Sequence, residues 1–143
     1  MIEIKLNVVE NVTKKLTLLD TRLLGEVDEA LTRGAYLIRN TTVKKIQRSK
    51  ATGRVYVRRG IRHRASAPGE PPKSDTGRLA SSQRVNSEFL KKEIGSDLNY
   101  SSLLEKGTSR MQPRPYLEVS GKENEQKVSE LINNAVEKLL NAG

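Results

Sequence analysis

The chain of 143 residues contains no cysteine, no tryptophan and one histidine, His63. Without thiols there is no disulfide, no thiolate zinc site and no cysteine nucleophile, and one imidazole does not make a histidine metal cluster. Aromatic side chains are nearly as scarce. Phe89, Tyr36, Tyr56, Tyr100 and Tyr116 are the whole set, so Leu, Val, Ile and Ala must supply the burial, at about 25 cal/mol per Å². An apolar fraction of 35% over one domain's length predicts a thin core that partner surfaces help to complete. No apolar run approaches the roughly 18–20 residues that cross a bilayer, and the opening MIEIKLNVVEN lacks the basic start and apolar centre of a signal peptide. The expectation is a soluble single domain over residues 1–143, made in the cytoplasm and without a membrane partner.

Charge is abundant and uneven. Lys and Arg number 26 against 17 Asp and Glu, a net +9. Nine of the basic residues (Lys44, Lys45, Arg48, Lys50, Arg54, Arg58, Arg59, Arg62 and Arg64) fall in one stretch that contains no acid, so the rest of the chain is balanced at 17 of each sign. Such a block reads as a contact for DNA phosphates or for an acidic protein neighbour, with a solvated basic face as the bland alternative.

Residues 2–8 alternate apolar Ile2, Ile4, Leu6 and Val8 with polar neighbours, the period of a half-buried strand. Val12, Leu16 and Leu19 suggest a short helix, and Asp20 or Thr21 can cap a second. In that second helix Leu24, Val27, Leu31, Ala35 and Ile38 recur every three or four positions, with acids early and lysines late, the order that the helix dipole favours. Running from 22 to about 50 it would be about 43 Å long, against a domain diameter of roughly 37 Å. Either it breaks at Asn40, Thr41 and Thr42, or its basic end projects toward a neighbour. Gly53 is read as its stop.

Arg54–Arg58 reads as a strand with one aliphatic and one basic face, turning at Gly60. ASAPGEPPKSDTG, residues 65–77, excludes helix and central strand and predicts an extended arm, with Gly69 and Gly77 free to take positive φ. Asp75 or Thr76 would cap a short turn through Leu79. Strands over 84–90 and 93–96 would form a hairpin turning at Lys91 and Lys92, followed by a helix or turn over 98–106 that Gly107 ends. Pro115 would open a last helix whose apolar stripe is Val128, Leu131, Ile132, Ala135, Leu139 and Leu140, with Gly121 delaying its start toward Lys122. Glu105 and Arg114 are placed to pair across the Gly107 turn. Tyr56, Tyr100 and Tyr116 are expected as core or interface anchors rather than base-stacking platforms, and His63 as an exposed loop residue.

Three ordered stretches, SAPGEPPKSDTGRL at 66–79, YSSLLEKGT at 100–108 and PRPYL at 113–117, resemble the neck or tail-completion proteins of long-tailed double-stranded DNA bacteriophages, the gene-product-ten family of the lambdoid phages. The shared positions are Asp75, Thr76, Gly77 and Leu79; Tyr100, Leu104, Glu105, Gly107 and Thr108; and Arg114, Pro115, Tyr116 and Leu117. The departure is KIQRSKATGRVYVRRGIRHR, a basic hairpin over 51–64 in its second half, where family members pass more directly into the proline segment.

The resemblance implies a virion protein without catalysis or cofactor. It would be a ring of six or twelve copies at the head–tail junction, assembled in the host cytoplasm and joined to connector, head-closure, tail-terminator or tail-tube proteins around the DNA channel. Its interface residues would be Pro68, Gly69, Glu70, Pro71, Pro72, Asp75, Thr76, Gly77, Glu105, Gly107, Thr108, Arg114 and Tyr116. The expected fold is α+β: a small, mostly antiparallel sheet packed by a long N-terminal and a C-terminal helix, with the proline arm and the basic hairpin as protrusions. Within the virion, a tail terminator or a head-closure stopper is the alternative to a neck ring, and two readings of other classes stay open. A small nucleic-acid-binding protein would use the same basic block. A nuclease would need carboxylates such as Asp75 or Asp97, but no carboxylate cluster, P-loop or nucleophile–base pair stands at a usable spacing.

Overall fold

The computed structural model describes residues 3–6 and 21–141. In chain order they form strand β1 (Glu3–Leu6), helix α1 (Thr21–Gln47), strands β2 (Val55–Arg58) and β3 (Ile61–Arg64), helix α2 (Arg78–Ser81), strands β4 (Arg84–Glu88) and β5 (Lys91–Gly95), and helices α3 (Ser101–Lys106) and α4 (Leu117–Asn141). The architecture is α+β. The expected helix over Val12–Leu19 and the outer residues of the first strand lie outside the described residues.

β5 is the centre of a three-stranded antiparallel sheet ordered β1-β5-β4, with Ile4 opposite Ile94 on one side and Val85 opposite Ile94 on the other. Its side chains alternate in burial, placing Lys92 and Ile94 under the helices. The long helix runs unbroken through Asn40–Thr42. The hydroxyls of Thr41 and Thr42 donate back to the carbonyls of Leu37 and Ile38 at 2.9 Å, so two weak helix formers are satisfied within the helix itself.

Val27, Leu31, Ala35, Ile38 and Ile46 form one buried stripe on α1, and Leu117, Val128, Ile132 and Ala135 answer it from α4. The helices approach closely at Gly34, where a Cβ would come within 2.9 Å of Val128 Cγ1. A polar clasp joins them further along: Asn124 Nδ2 donates to Thr41 Oγ1 at 3.1 Å and to the Ser120 carbonyl at 2.8 Å. Burying a Leu or Ile here contributes about 1.5–3 kcal/mol each, and the two helices together cover the sheet that no aromatic cluster fills.

Three local readings need correction. The hairpin turn between β4 and β5 is Phe89-Leu90, not Lys91-Lys92. Leu90 holds φ 58° while its side chain is buried and its N–H donates to Asp28 Oδ1 at 2.7 Å. Lys92 is fully buried in β5, where three acceptors take its ammonium. α1 ends at Gln47, ahead of Gly53, and α4 starts at Leu117 despite Gly121.

Candidate functional site

The hairpin β2–β3 stands apart from the main sheet as a two-stranded unit of its own. Its turn, Arg59-Gly60, has φ of 52° and 78°, the double positive φ of a tight hairpin turn. The pairing sets Val55 and Val57 opposite Arg64 and Arg62, and Tyr56 and Arg58 opposite His63 and Ile61. Each face therefore mixes apolar and basic side chains, correcting the separate aliphatic and basic faces expected from one strand alone.

At its base, Gly53 N–H donates to the Ala65 carbonyl and Ala65 N–H to that of Arg54, which carries the ladder into the proline arm. The arm is laid against the body instead of protruding from it. Gly69 N–H reaches the Pro113 carbonyl, Ser74 N–H the Ile46 carbonyl and Ser49 Oγ the Pro71 carbonyl. Pro72 is buried, while Pro68 stays exposed. Glu70 ties the arm to the end of the long helix by accepting from Thr52 Oγ1 at 2.5 Å, Ala67 N–H at 2.8 Å and Thr52 N–H at 3.0 Å. The Thr52 hydroxyl, followed by the two N–H donors, holds the Glu70 carboxyl below its ordinary range.

Asp75 does not cap a helix. The residue ahead of α2 is Gly77, at φ 78° and without a side-chain cap, and Thr76 is exposed. Asp75 instead pins the hairpin: Oδ2 lies 2.8 Å from Arg58 Nη1 and 3.3 Å from Tyr56 Oη, and Oδ1 lies 3.1 Å from His63 Nδ1. The Tyr56 and His63 rings stack at 5.6 Å. His63 is thus a strand residue facing Asp75, not an exposed loop residue. Partial burial acts to raise the Asp75 carboxyl, but the Arg58 hydrogen bond and charge, the His63 charge and the Tyr56 hydroxyl outweigh it and hold the carboxyl below its ordinary range.

The second and third resembling stretches form one knot. Glu105 is buried and accepts from the N–H groups of Tyr116 at 2.9 Å, Leu117 at 3.1 Å and Glu118 at 2.8 Å, so it caps α4 from the end of α3. The expected Glu105–Arg114 pair is not formed, because three orphan donors at a helix start claim the carboxylate first. Arg114 N–H donates to the Leu104 carbonyl at 2.7 Å, and Thr108 bridges Met111. Gly107 closes the turn at φ 74° and ψ 178°, a conformation reserved for glycine, with Met111 O 2.7 Å from where a Cβ would stand. Tyr116 is buried, and that burial pushes its hydroxyl up to about 12. Tyr56 and Tyr100 are partly exposed.

The hairpin, the Asp-Thr-Gly turn, Tyr100, Leu104 and Arg114 enclose a cleft of about 420 Å³. No family model, curated protein or solved structure matches the chain. The walls of the cleft carry its chemistry. Arg58, Arg62 and Arg64 line it from the basic block, joined by Lys73, Arg78 and Arg114 from outside that block. Lys44, Lys45, Arg48 and Lys50 belong elsewhere, around a shallow depression beside Glu70 and Pro71, where Lys45 pairs with Glu123 at 2.6 Å. Arg54 and Arg59 are exposed and line neither. Asp97 pairs with Arg84. Among the described residues no group of His, Asp and Glu is arranged to hold a metal ion, and no helix is long and apolar enough to cross a membrane. Sequence reasoning missed the grouping of Lys73, Arg78 and Arg114 because they are isolated cations, 36 residues apart between Arg78 and Arg114.

Proposed function

We propose that this chain is a structural subunit of the head–tail connector of a tailed double-stranded DNA phage, assembled as a ring of six or twelve copies around the DNA passage. The observation that supports this reading is the convergence of the three resembling stretches. Asp75, Thr76, Gly77 and Leu79, then Tyr100 and Leu104, then Arg114 share one cleft, while Glu105 binds the start of the closing helix. Stretches spread from residue 66 to residue 117 thus meet in one part of the fold.

The hairpin gives a subunit something to offer its neighbours. Val57 and Ile61 are 66% and 62% exposed, beside the exposed Arg59 and Arg62, a mixed apolar and basic tip suited to a protein partner. Light scattering on the purified chain at low and high salt, with and without double-stranded DNA, tests the reading. A discrete ring that persists at high salt supports a connector. A monomer whose mass changes only with DNA at low salt supports the nucleic-acid binder instead.

A further inference from the structure

We infer that the cleft between the basic hairpin, the Asp75 turn and the 113–115 segment is a binding site for the carboxylates of an extended acidic peptide. Six cations line it, Arg58, Arg62, Arg64, Lys73, Arg78 and Arg114, against one acid, Asp75. That acid is already engaged by Arg58 and His63. Among the described residues no carboxylate pairs with the other five. A concave site lined by one sign of charge focuses its field into the opening and favours a counter-charge there.

A second observation points the same way. Arg114 lines the cleft, and its Nε–H is buried without a hydrogen-bond partner. Buried donors are normally satisfied, and an arginine side chain left one acceptor short in the wall of a cleft gains that acceptor by turning its guanidinium toward a carboxylate in the opening. The volume, about 420 Å³, lies within the roughly 300–1,000 Å³ of ordinary ligand pockets.

The shape selects a peptide over duplex DNA. A duplex carries its phosphates on a rigid convex surface that rides over the rim of a cleft. Asp and Glu side chains extend from a thin strand on flexible stems and can enter between the walls that carry Arg114 and the other cations. Leu79, Leu104, Pro72 and Tyr100 supply apolar wall between the cations, as a peptide's backbone and methylenes require. The site is a property of the single chain, so it stands or falls separately from assembly into a ring.

Fluorescence anisotropy of labelled hexaglutamate with the full chain is the test, with a short labelled DNA duplex and inorganic phosphate as the competing probes. Hexaglutamate should bind, and Arg78→Glu and Lys73→Glu, both at exposed positions, should each weaken it about tenfold or more. Arg114→Gln should do the same. Lys127→Glu, exposed on α4, should leave binding within about twofold, well under the 1.4 kcal/mol that a tenfold change represents. Circular dichroism on each variant confirms that the fold is kept. Absence of hexaglutamate binding overturns the proposal, as does equal weakening by Lys127→Glu, which would reduce the effect to overall charge. Duplex binding that depends on Arg78 and Lys73 while hexaglutamate is ignored would replace the peptide with a nucleic-acid backbone, and binding of phosphate alone would reduce the site to a small-anion pocket.

Discussion

Glu105 and Tyr116 are joined by a 2.9 Å hydrogen bond from the Tyr116 backbone N–H to the Glu105 carboxylate, which ties the end of one short helix to the beginning of the longest C-terminal element. The same carboxylate serves Leu117 and Glu118. Glu105→Ala therefore leaves three donors at the start of α4 without an acceptor, and should cost about 2–3 kcal/mol in denaturant unfolding. Glu105→Gln, which keeps one acceptor oxygen, should fall between. A loss below about 0.5 kcal/mol for the alanine variant would show that the cap is replaceable by water.

Lys92 is wholly buried, and its ammonium donates to Asp28 Oδ1 at 2.7 Å, Ser87 Oγ at 2.8 Å and the Glu88 carbonyl at 2.8 Å. All three of its donors are used. Asp28→Ala strands that charge and should destabilise by about 3–5 kcal/mol. Lys92→Met should cost less, because Asp28 is about a quarter exposed and keeps the Leu90 N–H. The order of the two unfolding midpoints checks this; a reversal would mean that the lysine stem, not its charge, carries the contact.

The hairpin latch is pH-dependent. The Asp75 carboxyl sits below its ordinary 3.8 when folded, so its contribution is fully present above that value and is lost as pH falls through the lower folded value. Protection of the β2 and β3 amides, taken relative to their intrinsic exchange rate at each pH, should fall in that acid window ahead of protection in α1. Asp75→Asn should make exchange in the hairpin fast already at neutral pH and remove the acid step. An unchanged acid step in Asp75→Asn would assign it to another carboxylate.

Gly107→Ala combines a φ of 74° with a Cβ only 2.7 Å from Met111 O and 2.8 Å from Pro113 N. Both contacts are backbone, so no rotamer change relieves them. The expected loss is about 2–4 kcal/mol, read as a fall in Tm. A variant as stable as the parent would require the 107–113 turn to have an alternative path.

The exposed hairpin tip separates folding from assembly. Val57→Ser with Ile61→Ser removes 66% and 62% exposed side chains, and should change monomer stability by no more than about 0.5 kcal/mol each. If the tip contacts a neighbouring subunit, light scattering should show the ring lost or weakened. An intact ring would move the contact to another surface.

Local sequence determined the long helix, the alternating strand at Arg54–Arg58 and the amphipathic closing helix through their periodicity, and the stop after Lys106 through Gly107, because each depends on neighbours within one or two turns. The α+β class followed from their order. Tertiary structure decided the polar details. Asp75 reads as a cap from its neighbours in sequence, yet Arg58 and His63, 17 and 12 residues earlier, are its partners once β2 and β3 fold over it. Glu105 reads as a partner for Arg114, yet a helix start eleven residues on takes it. Lys92 reads as a turn residue until Asp28, 64 positions earlier, supplies its counter-charge. Hydrophobic pattern is written in local spacing, whereas a charged side chain goes to whichever unsatisfied group the finished packing brings within hydrogen-bonding reach.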